Sequence, residues 1–130
     1  NNVSLIAEKN EIRKYVLKIQ KDISKNKSVV MDGRDIGSVV FPNADFKFFL
    51  DASLDVRALR RWNELKLSEK DLEFEEVKKD LSKRDEKDIN RKFSPLTRSK
   101  DSMLIDSNEL EINEVVDIII DIIETEITNK

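Results

Sequence analysis

Apolar residues recur along this chain with two different periods. Leu5, Ile12, Val16, Ile19 and Ile23 fall roughly on one helical stripe, with lysines and Glu11 on the other side, which predicts a helix over about residues 11–24. Lys25-Asn26-Lys27 then reads as a turn into a continuous β-branched run, Val29-Val30-Met31, which has the composition of a short buried strand over Val29–Asp32. Gly33 relieves the backbone where that run stops, and Arg34 and Asp35 follow in a charged loop. Phe46 to Leu50 is a second apolar run with one lysine, closed by Asp51, and reads as another strand. Ser53 suits a helix N-cap, predicting a helix over about residues 54–65. A break near Ser68-Glu69 precedes a second, highly charged helix over about residues 72–90, and Pro95 prevents its continuation. Met103 to Asp106 is a third short strand with an acidic end. From Ile112 to Ile127 the isoleucine content favours a strand, but Asp117, Asp121 and Glu124 recur at helical spacing and predict a helix. Strands alternating with helices point to an α/β fold with a parallel sheet.

Composition narrows the chemistry. A chain of 130 residues is one domain at most, and 38% hydrophobic against 39% charged residues allows a modest core under a highly charged surface. A net charge of −3 argues against a general nucleic-acid or anionic-membrane binder, since those carry an excess of base. The absence of cysteine and histidine removes disulfides, thiol nucleophiles, the usual zinc sites and any histidine base, and fits a reducing cytoplasm. The longest apolar stretch, Val115 to Ile123, is interrupted by Asp117 and Asp121 and is too short to span a bilayer, so a soluble chain is expected.

The arginines are placed less evenly than the lysines. Lysine outnumbers arginine sixteen to eight, yet six of the arginines fall in three short stretches: Arg34; Arg57, Arg60 and Arg61; Arg84 and Arg91. Guanidinium is preferred where oxyanions are gripped bidentately. Arg84, Asp88 and Arg91 are spaced i, i+4, i+7 and share one helix face; taken alone, such a triad is more often a helix-surface salt bridge than a ligand site. Arg57, Arg60 and Arg61 lie within a turn or so of each other, either as a solvated face or as a cluster whose mutual repulsion a phosphate would relieve. Arg34-Asp35 at the end of a strand is likewise either a solvated turn or part of a ligand site, because open parallel sheets handle ligands at the carboxyl ends of their strands.

Together these residues resemble a known family. Asp32-Gly33-Arg34-Asp35-Ile36-Gly37-Ser38-Val39-Val40-Phe41-Pro42, Phe49-Leu50-Asp51-Ala52-Ser53, the Arg-Ala-Leu-Arg-Arg at 57–61, Arg84-Asp85-Glu86-Lys87-Asp88-Ile89-Asn90-Arg91, Ser94-Pro95-Leu96 and Leu104-Ile105-Asp106-Ser107 look like bacterial cytidylate kinase, in the right order over essentially the whole chain. The resemblance implies a P-loop nucleoside-monophosphate-kinase-like three-layer parallel sheet, with residues 1–130 as the C-terminal part of one such domain and a mobile lid over about residues 53–92. It implies transfer of the γ-phosphoryl group of ATP to CMP or dCMP with Mg²⁺, by positioning and charge neutralisation rather than acid-base chemistry. By resemblance Ser4 and Arg13 lie near the cytosine, and Asp35 takes up the exocyclic amine. Arg34, Arg84, Asp88 and Arg91 surround the base, ribose and monophosphate, Arg60 is a lid arginine, and Arg60 and Arg84 are the catalytic candidates. No metal ligand is assigned within the chain.

One departure from the family is large. With only Gly33 and Gly37 present, no Gly-x-x-x-x-Gly-Lys-Ser/Thr exists here, so the cradle for the ATP phosphates and Mg²⁺ is expected on a segment upstream of Asn1, a partner from the same protein. In the related kinases the sheet order is 2-3-1-4-5, which makes Val29–Asp32 strand 3, Phe46–Leu50 strand 4 and Met103–Asp106 strand 5. With strand 1 upstream, strands 3 and 4 are expected either about two strand spacings apart or closed up in a rearranged sheet, with poor folding and no turnover by these residues alone. The competing expectation is a non-catalytic nucleotide-binding or partner-binding fragment of a P-loop kinase.

Overall fold

The computed structural model describes residues 10–68, 71–90 and 95–129. They divide into two compact units, residues 1–45 with 87–100 and residues 46–86 with 101–130.

The first unit opens with helix α1, Asn10–Ile23. Ile12, Val16, Ile19 and Ile23 of the expected stripe lie on it, each more than a third exposed, while Leu5 lies outside the described residues. The turn after α1 forms as expected: Asn26 takes a left-handed conformation, φ 61°, which asparagine tolerates better than most residues. The strand expected over Val29–Asp32 does not form. A β-branched run becomes a strand only when a neighbour completes its ladder, and among the described residues none pairs with it; Val30 stands fully exposed. The expectation of a separated or rearranged strand 3 therefore gives way to an unpaired connection. The Arg34-Asp35 loop runs directly into a π-helical turn, Ile36–Val40, in which the Val40 and Phe41 amides donate to the carbonyls five residues back, Asp35 and Ile36, at 3.2 and 2.7 Å. Val40, 3% exposed, anchors this turn in the interior.

The second unit holds the sheet. Strands β1, Phe48–Asp51, and β2, Met103–Asp106, pair in parallel with Phe48 opposite Met103 and Asp51 opposite Asp106. The pairing is extended at both ends: the Met103 amide donates to the Lys47 carbonyl and the Ser107 amide to the Asp51 carbonyl, each at 2.8 Å. Lys47, with its side chain 8% exposed, is neutralised by an ion pair with Asp101 in the approach to β2. Only strands 4 and 5 of the expected set are present, and both start or end within two residues of their expected limits.

Helix α2, Leu54–Leu65, begins where Ser53 predicts, its hydroxyl accepting from the Val56 amide at 3.3 Å. Helix α3 spans Phe74–Ile89 and α4 spans Ile112–Thr128. Helical spacing of the acids in α4 prevails over the strand propensity of isoleucine. Within the second unit α2 and the start of α3 form a hairpin. Trp62 donates its indole N–H to the Leu72 carbonyl at 2.8 Å, packs edge-on to Phe74 with ring centroids 6.2 Å apart, and carries the Lys66 ammonium 4.3 Å above its ring. Lys78 pairs with Asp55 at 2.5 Å, and this hydrogen bond first, then the attraction between the charges, raises the Lys78 pKa above the ordinary lysine value.

Buried apolar side chains are few among the described residues: Val40 in the first unit and Ala52, Ala58, Val77 and Ile105 in the second. Ala58 is 0% exposed, so a larger side chain has no room. Replacing Ala58 by Leu is expected to cost about 1–3 kcal/mol through overpacking, read from urea titration of the intact protein. An unchanged midpoint would show that α2 has slack at this position.

Candidate functional site

The Asp32-Gly33-Arg34-Asp35 segment carries two consecutive, oppositely charged side chains, and each finds a partner within the first unit. Gly33 is needed here for closeness rather than for a left-handed backbone: its φ is not positive, but a Cβ built on it would meet the Ile36 side chain at 2.8 Å. The π-helical turn follows at once, its first two hydrogen bonds converging on the Asp35 carbonyl from Val39 and Val40 at 2.8 and 3.2 Å. Main-chain bonds thus fix the backbone from which the Asp35 side chain projects.

Arg13, in the first turns of α1, donates to Asp35 Oδ2 at 2.5 Å, with the two side chains 20% and 16% exposed. Arg34 donates through Nε to Asp88 Oδ2 at 2.9 Å, with Asp88 14% exposed. Asp88 is also fixed through its backbone, where its carbonyl accepts from the Leu96 amide at 2.8 Å just past Pro95. The result is two ion pairs anchored on adjacent residues of one segment. An ionised carboxylate has about four acceptor positions, so Asp35 can serve Arg13 and an incoming amine donor together. Arg13 and Arg34 offer donors in a planar fork suited to carbonyl or phosphate oxygens.

Arg84 and Arg60, the other described arginines with expected roles, lie in the second unit. Arg84 stands on α3, one residue from Asp85, which pairs with Arg57 at 2.7 Å. Arg57 also donates to the Ala52 carbonyl at 2.9 Å. Arg60 is engaged by the loop after β2, donating to Ser107 Oγ at 3.2 Å, the Ser107 carbonyl at 2.5 Å and the Leu110 carbonyl at 2.9 Å. Arg61 makes a local pair with Glu64 at 2.8 Å, both half-exposed or more. Ser4 and Arg91 lie outside the described residues.

A family model for cytidylate kinase matches residues 1–125. The chain belongs to the cytidylate kinase family. It is 50% identical over 123 residues to a cytidylate kinase of Clostridium botulinum (strain Okra / Type B1), an alignment covering 95% of this chain and 57% of that protein. It is 48% identical over 130 residues to one of Clostridium tetani, covering all of this chain and 58% of the relative. A third, from Caldanaerobacter subterraneus, is 49% identical over 115 residues, or 88% of this chain and 51% of the relative. The chain therefore spans a little over half the length of the curated relatives it matches.

The described residues hold the α/β character of the fold and two charged clusters, but they offer no site for a metal ion or a triphosphate. Among the described residues no cluster of three acidic, histidine or cysteine side chains could hold a metal ion, and the sequence has no phosphate loop.

Sequence reasoning singled out Arg13, Arg34, Asp35 and Asp88, and the structure joins them as two ion pairs. It missed the pairing of Arg57 with Asp85 and the grip of Ser107 and Leu110 on Arg60. Asp85 sits beside Arg84 in the charged motif and offered a signal as an acid one helix over from an arginine cluster. The carbonyls offered none, since every residue carries one. In a double-mutant cycle of Arg13→Ala and Asp35→Ala, the coupling read from urea titration is expected to be about 1–3 kcal/mol, as for charge-assisted bonds with limited solvent access. Coupling near zero would reduce the pair to a solvated contact.

Proposed function

We propose that the intact protein transfers the γ-phosphoryl group of ATP to CMP or dCMP, and that residues 1–130 are the C-terminal part of its single nucleoside-monophosphate-kinase domain, supplying the acceptor-nucleotide side and a lid over about residues 53–92. The observation that carries this reading is the two ion pairs, Arg13–Asp35 and Arg34–Asp88, on adjacent residues in a chain of the cytidylate kinase family. Cytosine presents an N4 amine donor beside N3 and O2 acceptors, so one carboxylate flanked by arginine donors is its complement. In this reading Asp35 accepts from the amine while Arg13 orients the carboxylate, and Ser4 adds a contact to the base. Asp88 accepts from a sugar hydroxyl, and Arg34, Arg84 and Arg91 neutralise the monophosphate. Arg84 extends that charge to the transferring group, and Arg60 lies on the lid.

ATP and Mg²⁺ are assigned to a further segment of the same protein. Two observations support that partner. The relatives are nearly twice as long as this chain. Apolar side chains on α1 and α4, among them Ile12, Val16, Ile112, Val116 and Ile120, also stand exposed in a way that a covering segment would relieve. No helix among the described residues is long and apolar enough to cross a membrane. A cytoplasmic enzyme without nucleic-acid or membrane partners is the reading that suits these features and the net charge of −3.

Calorimetry of CMP, AMP and UMP against the intact protein, beside a coupled assay of ADP release, tests the proposal: CMP should bind best and be turned over. CMP binding without turnover would favour a non-catalytic nucleotide-binding fragment, and no preference for CMP would remove the site. Arg84→Ala and Arg91→Ala should each raise the CMP requirement by about one to two powers of ten while the ATP requirement changes little, the loss of charge-assisted bonds of about 1.5–3 kcal/mol. Unchanged CMP kinetics in both would sink the assignment. Asp35→Ala should narrow the gap between CMP and UMP, because the amine loses its acceptor. If the ratio of rates on the two bases stays as in the parent, Asp35 does not read the base.

A further inference from the structure

Arg60 is bonded differently from the arginines on either side of it. Arg57 meets an acid and a carbonyl, and Arg61 meets only Glu64 one turn away. Arg60 instead reaches 47 and 50 residues along the chain, its guanidinium shared among Ser107 Oγ, the Ser107 carbonyl and the Leu110 carbonyl. No carboxylate is among these partners; a charged fork is spent on neutral acceptors, each bond charge-assisted.

Ser107, 7% exposed, is the point where the sheet closes. Its amide and its hydroxyl both donate to the Asp51 carbonyl, at 2.8 and 3.0 Å, so the last residue of β1 is tied to the first residue after β2. Beside it Asn108 accepts from the Ser53 amide at 2.8 Å and donates its own amide to Asp106 Oδ1 at 3.0 Å. The root of α2 is thus held to the carboxyl ends of both strands by Ser107 and Asn108, and Arg60, two turns into the helix, closes the same knot from its other side. From α2 the constraint passes through Arg57 to Asp85, the neighbour of Arg84 on α3.

We propose that Arg60 is a positioning residue: by gripping the Ser107–Leu110 loop it locks α2, and through the Arg57–Asp85 pair the α3 segment bearing Arg84, to the carboxyl ends of β1 and β2, and it does not itself meet the phosphoryl group. The proposal rests on the phosphotransferase reading only for its kinetic consequence. The mechanical contact stands or falls separately.

The experiment uses the intact protein with Arg60→Ala, Arg60→Lys, Ser107→Ala and the double variant Arg60→Ala/Ser107→Ala, measuring turnover at saturating CMP and ATP and amide hydrogen exchange of residues 107–111 without nucleotide. Arg60→Ala should lower kcat about tenfold and speed exchange in that loop by a similar factor before any nucleotide is present. Ser107→Ala should move both in the same direction, and the double variant should lose less than the product of the two single losses. Arg60→Lys should rescue little, because an ammonium cannot span three acceptors as the planar fork does, and this variant keeps a charged side chain if Arg60→Ala folds poorly. A kcat loss in Arg60→Ala with unchanged loop exchange, together with parent-like Ser107→Ala, would place Arg60 at the phosphoryl group and overturn the proposal. A lowered melting temperature with unchanged kcat would also overturn it, leaving a structural tie. If the parent shows no CMP turnover, the phosphotransferase reading fails while the exchange result still decides whether the contact exists.

Discussion

Two strands in parallel cannot be joined by a tight turn, so β1 and β2 depend on hydrogen bonds made by residues distant in sequence. Register is set residue by residue from Phe48 opposite Met103 to Asp51 opposite Asp106. Ser107 extends it one step further by donating twice to the Asp51 carbonyl. The second unit depends on that closure. It brings Ser53 against Asn108, and so fixes where α2 starts; it presents the carbonyls that hold Arg60; and it sets the base of a hairpin whose far end is fastened by Trp62, Phe74 and Leu72. With only four buried apolar residues among those described in that unit, polar bonds of this kind carry an unusual share of the task of positioning.

The first unit works by a different economy. Its helix α1 leaves its apolar stripe largely open, and its cohesion at the charged segment comes from Arg13 with Asp35 and Arg34 with Asp88. Such pairs at one-fifth exposure or less on three of the four side chains are screened less than surface pairs, and breaking one member leaves its partner poorly solvated. The cohesion of the segment therefore rests on four side chains, two of them on adjacent residues.

Helices α1 to α4 were legible because each carries its own evidence: an apolar stripe, a serine cap before α2, or acids at helical spacing in α4. The β1 and β2 strands were legible from apolar runs ending in Asp51 and Asp106. Val29–Asp32 has the same kind of composition and formed no strand, because composition records only a residue's fitness for a ladder and not whether a neighbour is there to complete it. The π-helical turn at Ile36–Val40 was missed for a related reason: a valine pair beside glycine and serine signals no helix, and only the carbonyls of Asp35 and Ile36 make it one.

Residue identity by itself determined the chemistry on offer: no histidine or cysteine, few glycines, arginines gathered in three stretches, and motifs spaced as in the cytidylate kinase family. These follow from side-chain composition and order, which need no folding to be read. What only the tertiary structure decided was the partner of each charge. Asp35 with Arg13, Asp88 with Arg34, Asp85 with Arg57, and Arg60 with the Ser107 and Leu110 carbonyls are contacts whose members, save for backbone atoms present everywhere, are ordinary acids and bases far apart in the chain. Coulomb attraction does not choose among 24 basic and 27 acidic side chains; the geometry of the backbone chooses, by deciding which of them come within hydrogen-bond distance.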